Sequence, residues 1–366
     1  MGKRASNYDW LRVISAIAVI MIHVSGSWFG DITNDIAENN LNYRDIESPF
    51  WVCIYNSISR FAVPCFVMIS GAFILDNEKN IEYRKFYSKS FSKIGVPTIV
   101  FSILYILYQI PLCFIGEGER IITMVKNIVK GSPMYHMWYM YMLIGLYLLV
   151  PITIRFKDSI SEKNFHKITF IFLAFASLSM WTSNFRLSWD AGRSFEYLGY
   201  FMVGYSIRKI CKEKNNKRAT LAVLAGILFE ICAAGLEYRQ MVAGIAESEL
   251  KYSIVEPSSP LIVLASILIF YGFTVLNIKK DVTKLSRLTL WIYLIHAGVW
   301  DFIIKVVRLT KGENILVKTD GMIWIPIFVV VVLGISCVLS KLYIWLWGKF
   351  DKEKKITNKL LQIIHL

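Results

Sequence analysis

The chain has little of what marks a soluble or a metal-dependent protein. Only 19% of its 366 residues are charged, against 55% that are hydrophobic, and typical soluble domains are more charged and less apolar. Its six cysteines include no CxxC pair, so neither a metal site nor a disulfide framework is expected. No stretch rich in proline, glycine or serine divides the chain. We therefore expect neither a flexible linker nor a soluble domain.

Long apolar runs occupy most of the chain instead. A helix needs about 20 mostly apolar residues to cross a bilayer, and ten runs, the sixth of them short, predict an all-α integral membrane protein. They cover residues 10–29, 50–75, 94–115, 135–154, 167–185, 195–210, 219–237, 259–277, 288–305 and 322–347. The expected organisation is a multi-span domain over residues 1–347, followed by a basic amphipathic tail over residues 348–366 on the inner surface.

The net charge of +14 follows the topology of such a protein. Cytoplasmic loops of membrane proteins collect lysine and arginine. With the N-terminus inside, 27 basic residues fall on the inner side and 11 on the outer side. This asymmetry predicts that both termini are cytoplasmic. It also explains the basic charge through topology and attraction to anionic lipids, so a nucleic-acid partner is not expected.

Ionisable side chains within the apolar runs are the candidate functional residues, because a charge inside a bilayer is costly and usually serves a function. The first run carries Arg12 and His23, eleven residues apart. At 100° per residue the two side chains share one helix face, with a rise of about 16 Å between them. This places an anion-binding guanidinium at the cytoplasmic entrance and a titratable imidazole past the midplane. A snorkelling arginine and a packing histidine are the alternative.

Other runs carry comparable groups. Arg60 precedes Pro64 by four residues, so its carbonyl lacks a helical donor and a kink beside a polar cavity is expected. Pairing of Arg60 with Glu230 or Asp301 is the alternative. The remaining candidates are His136 at the outer end of the fourth run, Arg193 and Glu196 at the start of the sixth, Glu230 in the seventh, and His296 and Asp301 in the ninth.

Five stretches together resemble the integral membrane acyltransferase-3 family, whose members are multi-span O-acyltransferases of envelope sugars. Its first-span signature, arginine and histidine eleven residues apart, is matched by Arg12 and His23. The other stretches follow in the family's order: "SRFAVPCFVMISGAFIL", "HMWYMYMLIGLYLLVP", "YLGYFMVGY" and "LTLWIYLIHAGV". The resemblance covers the whole chain. One departure is that the family's Arg-x-x-Arg pair before the third span is replaced by "SKSFSKIGVP", which leaves Lys89 and Lys93.

The resemblance implies an O-acetyltransferase of the bacterial cytoplasmic membrane that uses acetyl-CoA as donor and needs no metal. Its acceptor would be an envelope glycan or a lipid-linked sugar on the outer side. Arg12, Lys89 and Lys93 would bind the phosphates of CoA, and the thioester would reach His23. His23 would act as general base, with a nucleophile that carries the acyl group as the alternative. Arg60 would stabilise the oxyanion or bind the acceptor. His296 would orient His23, contact the thioester or only form a hydrogen bond within the helix bundle.

Acceptor contacts are expected near the predicted outer surface. Trp138 and Tyr139 could stack on a sugar beside His136, although an interfacial aromatic belt predicts the same residues. Arg193 and Glu196 belong to a stretch of mixed charge that suits hydroxyl-rich acceptors and equally suits a solvated loop. The alternative function is a transporter of a small polar solute or lipid-linked sugar. Transporters often have broken helices in matched halves, and the sequence shows no such repeat.

Overall fold

The computed structural model describes residues 6–39, 48–114, 121–182, 193–243, 254–312 and 315–350, and within these ranges it contains helices and no strands. The α-helices are α1 (Ser6–Asn39), α2 (Ser48–Ser57), α3 (Ala62–Ile74), α4 (Tyr83–Ser90), α5 (Val96–Phe114), α6 (Ile121–Lys130), α7 (Trp138–Ser159), α8 (Glu162–Thr182), α9 (Arg193–Ile210), α10 (Asn216–Val242), α11 (Pro260–Val275), α12 (Thr283–Ser286), α13 (Thr289–Lys311) and α14 (Gly321–Phe350). A π-helical turn, Phe91–Gly95, joins α4 to α5.

Seven helices of the described chain are long and apolar enough to cross a membrane: Ser6–Asp35, Pro49–Ile74, Tyr83–Cys113, Trp138–Ser159, Asn216–Val242, Thr289–Lys311 and Gly321–Lys349. The predicted spans at 167–185, 195–210 and 259–277 coincide with helices α8, α9 and α11, and α11 is apolar but short. The all-α class is confirmed for the described residues. The count of ten spans and the orientation stay predictions, and residues 351–366 of the predicted tail lie outside the description.

The first helix is longer than the sequence indicated. The first predicted span ends at residue 29, but α1 continues to Asn39. Asp31 is buried and accepts a hydrogen bond from Arg308 on α13. A paired carboxylate no longer needs water around it, so the helix can continue through the acidic stretch.

Two units divide the chain. The first comprises the described residues of Met1–Ile69, Ala174–Asn184 and Ile207–Lys341. Its apolar core joins α1, α13 and α14, and the stacked rings of Trp28 and Trp300 lie within it, 6.4 Å apart. In the same unit α10 packs closely on α11, because a Cβ at Gly226 would lie only 2.7 Å from Ile269 and one at Gly272 only 2.6 Å from Val223. Small residues at a contact let two membrane helices approach in this way.

The second unit comprises the described residues of Ser70–Leu173, Phe185–Ser206 and Leu342–Leu366. Here α3 approaches α9 so closely that a Cβ built on Gly71 would lie 1.7 Å from the carbonyl oxygen of Phe201. Gly71 belongs to the stretch "SRFAVPCFVMISGAFIL" and Phe201 to "YLGYFMVGY". Two stretches that the sequence analysis treated separately are therefore in backbone contact.

Replacing Gly71 by alanine is expected to destabilise the protein, because the obstacle is backbone and cannot rotate away. Overpacking of this kind costs about 1–3 kcal/mol, and it should lower the midpoint of thermal unfolding in detergent. Gly235→Ala on α10 is the matched control, since a Cβ there meets nothing within 4 Å. A Gly71→Ala protein as stable as the control would contradict the close approach of α3 and α9.

Candidate active site

Two imidazoles lie against each other in the first unit. His23 comes from the middle of α1 and His296 from α13, and their ring centroids are 5.2 Å apart. His296 is fully buried, whereas His23 keeps part of its surface exposed. His23 is therefore the member of the pair that a substrate can reach, and the buried ring of His296 packs against it.

Backbone carbonyls determine which nitrogen of neutral His296 carries the hydrogen. Its Nδ1 lies 2.6 Å from the carbonyl oxygen of Tyr293 and 3.2 Å from that of Ile292. A carbonyl oxygen only accepts hydrogen bonds, so Nδ1 is the donor and Nε2 has the lone pair. This tautomer can accept a hydrogen bond at Nε2 from a neighbouring ring.

Arg60 lies in a break of the second span. The helix α2 ends at Ser57 and α3 begins at Ala62, with turns at residues 58–61. Pro64 has no N–H, so the Arg60 carbonyl receives no helical hydrogen bond from that position. The predicted interruption is confirmed, although it is a full break where a kink was expected.

An amide connects Arg60 to the part of α1 that carries His23. The Oδ1 of Asn56 accepts hydrogen bonds from Nη2 of Arg60 and, at 2.9 Å, from its Nε. The Nδ2 of Asn56 donates to the carbonyl of Ile22 at 3.3 Å and to Oγ of Ser25 at 3.1 Å. Since Ile22 and Ser25 flank His23, the guanidinium is held within electrostatic reach of the imidazole.

No carboxylate of the described residues pairs directly with Arg60. Asp301 instead pairs with Lys305 at 2.9 Å. Glu230 accepts a hydrogen bond from the backbone N–H of Phe61 at 2.8 Å and is affected by the Arg60 charge only through space. The alternative of a direct ion pair is therefore wrong for these two carboxylates. The Arg60 side chain keeps part of its surface exposed.

The sequence model of a family described as an acyltransferase domain matches residues 6–341. The chain belongs to the acyltransferase-3 family. Family membership and the seven membrane-length helices together make it a membrane acyltransferase. Comparisons with curated proteins and with solved structures found no match.

Arg12 of this acyltransferase already has an anionic partner. It donates to Oδ1 of the fully buried Asp9 at 2.9 Å. Asp9 also accepts hydrogen bonds from Thr283 at 3.0 Å and Ser286 at 2.7 Å, which fastens α1 to α12. A quarter of the Arg12 side chain remains exposed. Because α1 is unbroken, Arg12 and His23 do share one helix, while phosphate binding by Arg12 stays a prediction.

The other predicted donor-binding residues belong to the second unit of the acyltransferase. Lys89 lies in the last turn of α4 and Lys93 in the π-helical turn that follows. Both side chains are exposed. Their ammonium groups are free to meet a phosphate as point charges, and that role stays a prediction.

The predicted acceptor residues also lie in the second unit. His136 is fully buried just before α7, with its ring 5.3 Å from that of Tyr105. The ring of Trp138 packs 5.9 Å from that of Tyr197 on α9, and Tyr139 is buried. Arg193 is the first residue of α9, and Glu196 lies in the first turn of the same helix and is partly exposed.

Sequence reasoning missed Asn56 and the bond made by Glu230. Asn56 stands four residues before Arg60, which is one helical turn, and an amide is itself costly within a span. That spacing was a usable signal. The bond from Phe61 to Glu230 joins residues 169 positions apart, and no local pattern announces it.

Proposed function

We propose that this acyltransferase transfers an acyl group, acetyl in the simplest case, from cytoplasmic acyl-CoA to a hydroxyl group on the outer side of the bacterial cytoplasmic membrane. The acceptor would be an envelope glycan or a lipid-linked sugar. The observation that carries the proposal is the arrangement of a partly exposed His23 against His296, with the Arg60 guanidinium held by Asn56, which also bonds to Ile22 and Ser25 beside His23. Acyl transfer needs a base and a cation in these positions.

The chemistry follows from the roles of these groups. His23 takes the proton of the acceptor hydroxyl, while His296 orients it through the lone pair on Nε2. The hydroxyl oxygen attacks the thioester carbonyl, and Arg60 stabilises the negative charge on that carbonyl oxygen. The carbon–sulfur bond then breaks, and the CoA thiolate takes the proton from His23. Transfer is direct, so no acyl-enzyme is required.

Substrate binding is assigned to exposed cations and aromatic side chains. Arg12, Lys89 and Lys93 would meet the phosphates of acetyl-CoA, since all three keep exposed surface. Trp138 and Glu196, which keep exposed surface, would contact the acceptor together with Arg193, because an indole ring stacks on sugars and charged groups bind hydroxyls. His136 and Tyr139 are buried and would shape this region without stacking on the sugar.

The test is an assay of the purified protein in detergent with acetyl-labelled acetyl-CoA. We expect slow release of CoA without acceptor and faster release when an envelope-glycan fraction is added, with label recovered in an ester. A broken helix such as that at residues 58–61 also occurs in transporters, so solute uptake into proteoliposomes is measured in parallel. Uptake without thioester cleavage would overturn the proposed function.

A further inference from the structure

Glu230 is a buried carboxylate for which the reaction above has no use. It lies on α10 with no exposed surface. Its Oε1 accepts a hydrogen bond from the backbone N–H of Phe61 at 2.8 Å. Its Oε2 has no hydrogen-bond partner among the described residues. An ionisable side chain is costly to bury in a membrane, so its presence there indicates that it serves a function.

The break between α2 and α3 explains the hydrogen bond. The N–H groups of Ser59, Arg60 and Ala62 find carbonyl acceptors within the same turn, whereas that of Phe61 goes to the side chain on α10. A backbone N–H without an acceptor is strongly disfavoured inside a membrane. Glu230 therefore fixes the turn at the residue that follows Arg60.

The charge of Glu230 has a second effect. The carboxyl group does not touch the guanidinium, and when the carboxyl group is ionised the two charges attract each other through space. A direct ion pair would hide the guanidinium from substrate, whereas a counter-charge at a distance lowers the cost of burying Arg60 and leaves it uncovered. Asn56 holds the side chain of Arg60, and Glu230 holds its backbone.

We propose that Glu230 is a positioning residue, which accepts the Phe61 N–H in order to hold the Arg60 turn and so presents the guanidinium beside His23. This inference rests on the proposed function for its kinetic consequence. Its structural consequence, a protected Phe61 N–H, does not depend on activity.

Three substitutions separate the hydrogen bond from the charge. Glu230→Gln keeps an acceptor and removes the charge, so kcat should fall about 3- to 10-fold. Glu230→Met removes both, so kcat should fall about 100-fold, as it does when a stabilising cation is misplaced. Glu230→Asp keeps the charge but shortens the reach, so its kcat should fall further than that of Glu230→Gln. The KM for acetyl-CoA should stay within about 2-fold in all three.

A double-mutant cycle distinguishes positioning from independent action. In an Arg60→Met background, Glu230→Met should lower kcat no further, because a residue that acts through Arg60 has nothing left to position. Ser57→Ala is the matched control, since it breaks another α2–α10 bond, from Ser57 to Glu237 at 3.1 Å, and should leave kcat within about 2-fold. Independent, multiplicative losses would overturn the proposal.

Hydrogen exchange supplies a readout that needs no turnover. The amide of Phe61 should exchange faster in the Glu230→Met and Glu230→Asp proteins than in the wild type, and at the wild-type rate in Glu230→Gln. Unchanged protection in both Glu230→Met and Glu230→Asp would overturn the inference. If Glu230→Met does not fold, Glu230→Asp against Glu230→Gln makes the comparison. Absence of transfer by the wild type would overturn the proposed function alone, and exchange would still decide the role of Glu230.

Discussion

Replacing His23 by alanine is expected to abolish acyl transfer while the protein stays folded. Of the His23–His296 pair, only His23 keeps part of its surface exposed, so the loss of its imidazole removes the group that takes the acceptor proton. General-base catalysis raises the rate of a reaction about 10²- to 10⁴-fold. The rate of transfer by His23→Ala should therefore be lower than that of the wild type by a factor in this range. Acetylation of an acceptor hydroxyl by acetyl-CoA in detergent measures the loss.

A histidine elsewhere in the chain provides the control for His23. His166 on α8 bonds through Nδ1 to Ser206 at 2.9 Å in the second unit, and it has no part in the proposed reaction. His166→Gln should therefore keep kcat within about 2-fold of the wild type. His23→Ala that elutes and unfolds like the wild type and still acetylates at the wild-type rate would exclude His23 as the base.

Local patterns predicted those parts of the site that one helix determines. The eleven-residue spacing of Arg12 and His23 requires only an unbroken helix, and α1 provides it. Pro64 predicted the interruption at Arg60, because the missing N–H acts one turn upstream. Chemistry carried by one residue and its neighbours in sequence was therefore accessible.

Contacts between helices were not accessible in the same way. Whether Arg60 meets a carboxylate of another helix depends on how α2 lies against its neighbours, and the apolar periodicity of a span does not specify that. The same reason hid the closeness of Gly71 to Phe201, where two separate stretches meet. A contact between helices also moved the end of α1. The hydrogen bond from Arg308 to Asp31 allows α1 to continue beyond the predicted end of the first span.

Replacing Arg60 by methionine is expected to lower kcat about 10²- to 10³-fold, the loss seen when an oxyanion-stabilising donor is removed. Methionine keeps much of the length of the side chain and removes the cation that acts on His23. Arg60→Lys keeps the charge but cannot make the two hydrogen bonds to Asn56, so it should recover only part of the rate. The KM for acetyl-CoA should change little, because the charge that Arg60 meets arises in the transition state.

The control for Arg60 is an arginine with the same chemistry at the surface. Arg155 lies exposed over the ring of Tyr83, 4.8 Å from its centroid, in the second unit, and Arg155→Met should leave kcat within about 2-fold of the wild type. Arg60→Met with an unchanged kcat and a raised KM for the acceptor would instead place the guanidinium on the acceptor. In that case the oxyanion would need another donor, and the lone pair on Nε2 of His296 excludes that nitrogen of the neutral ring as the source.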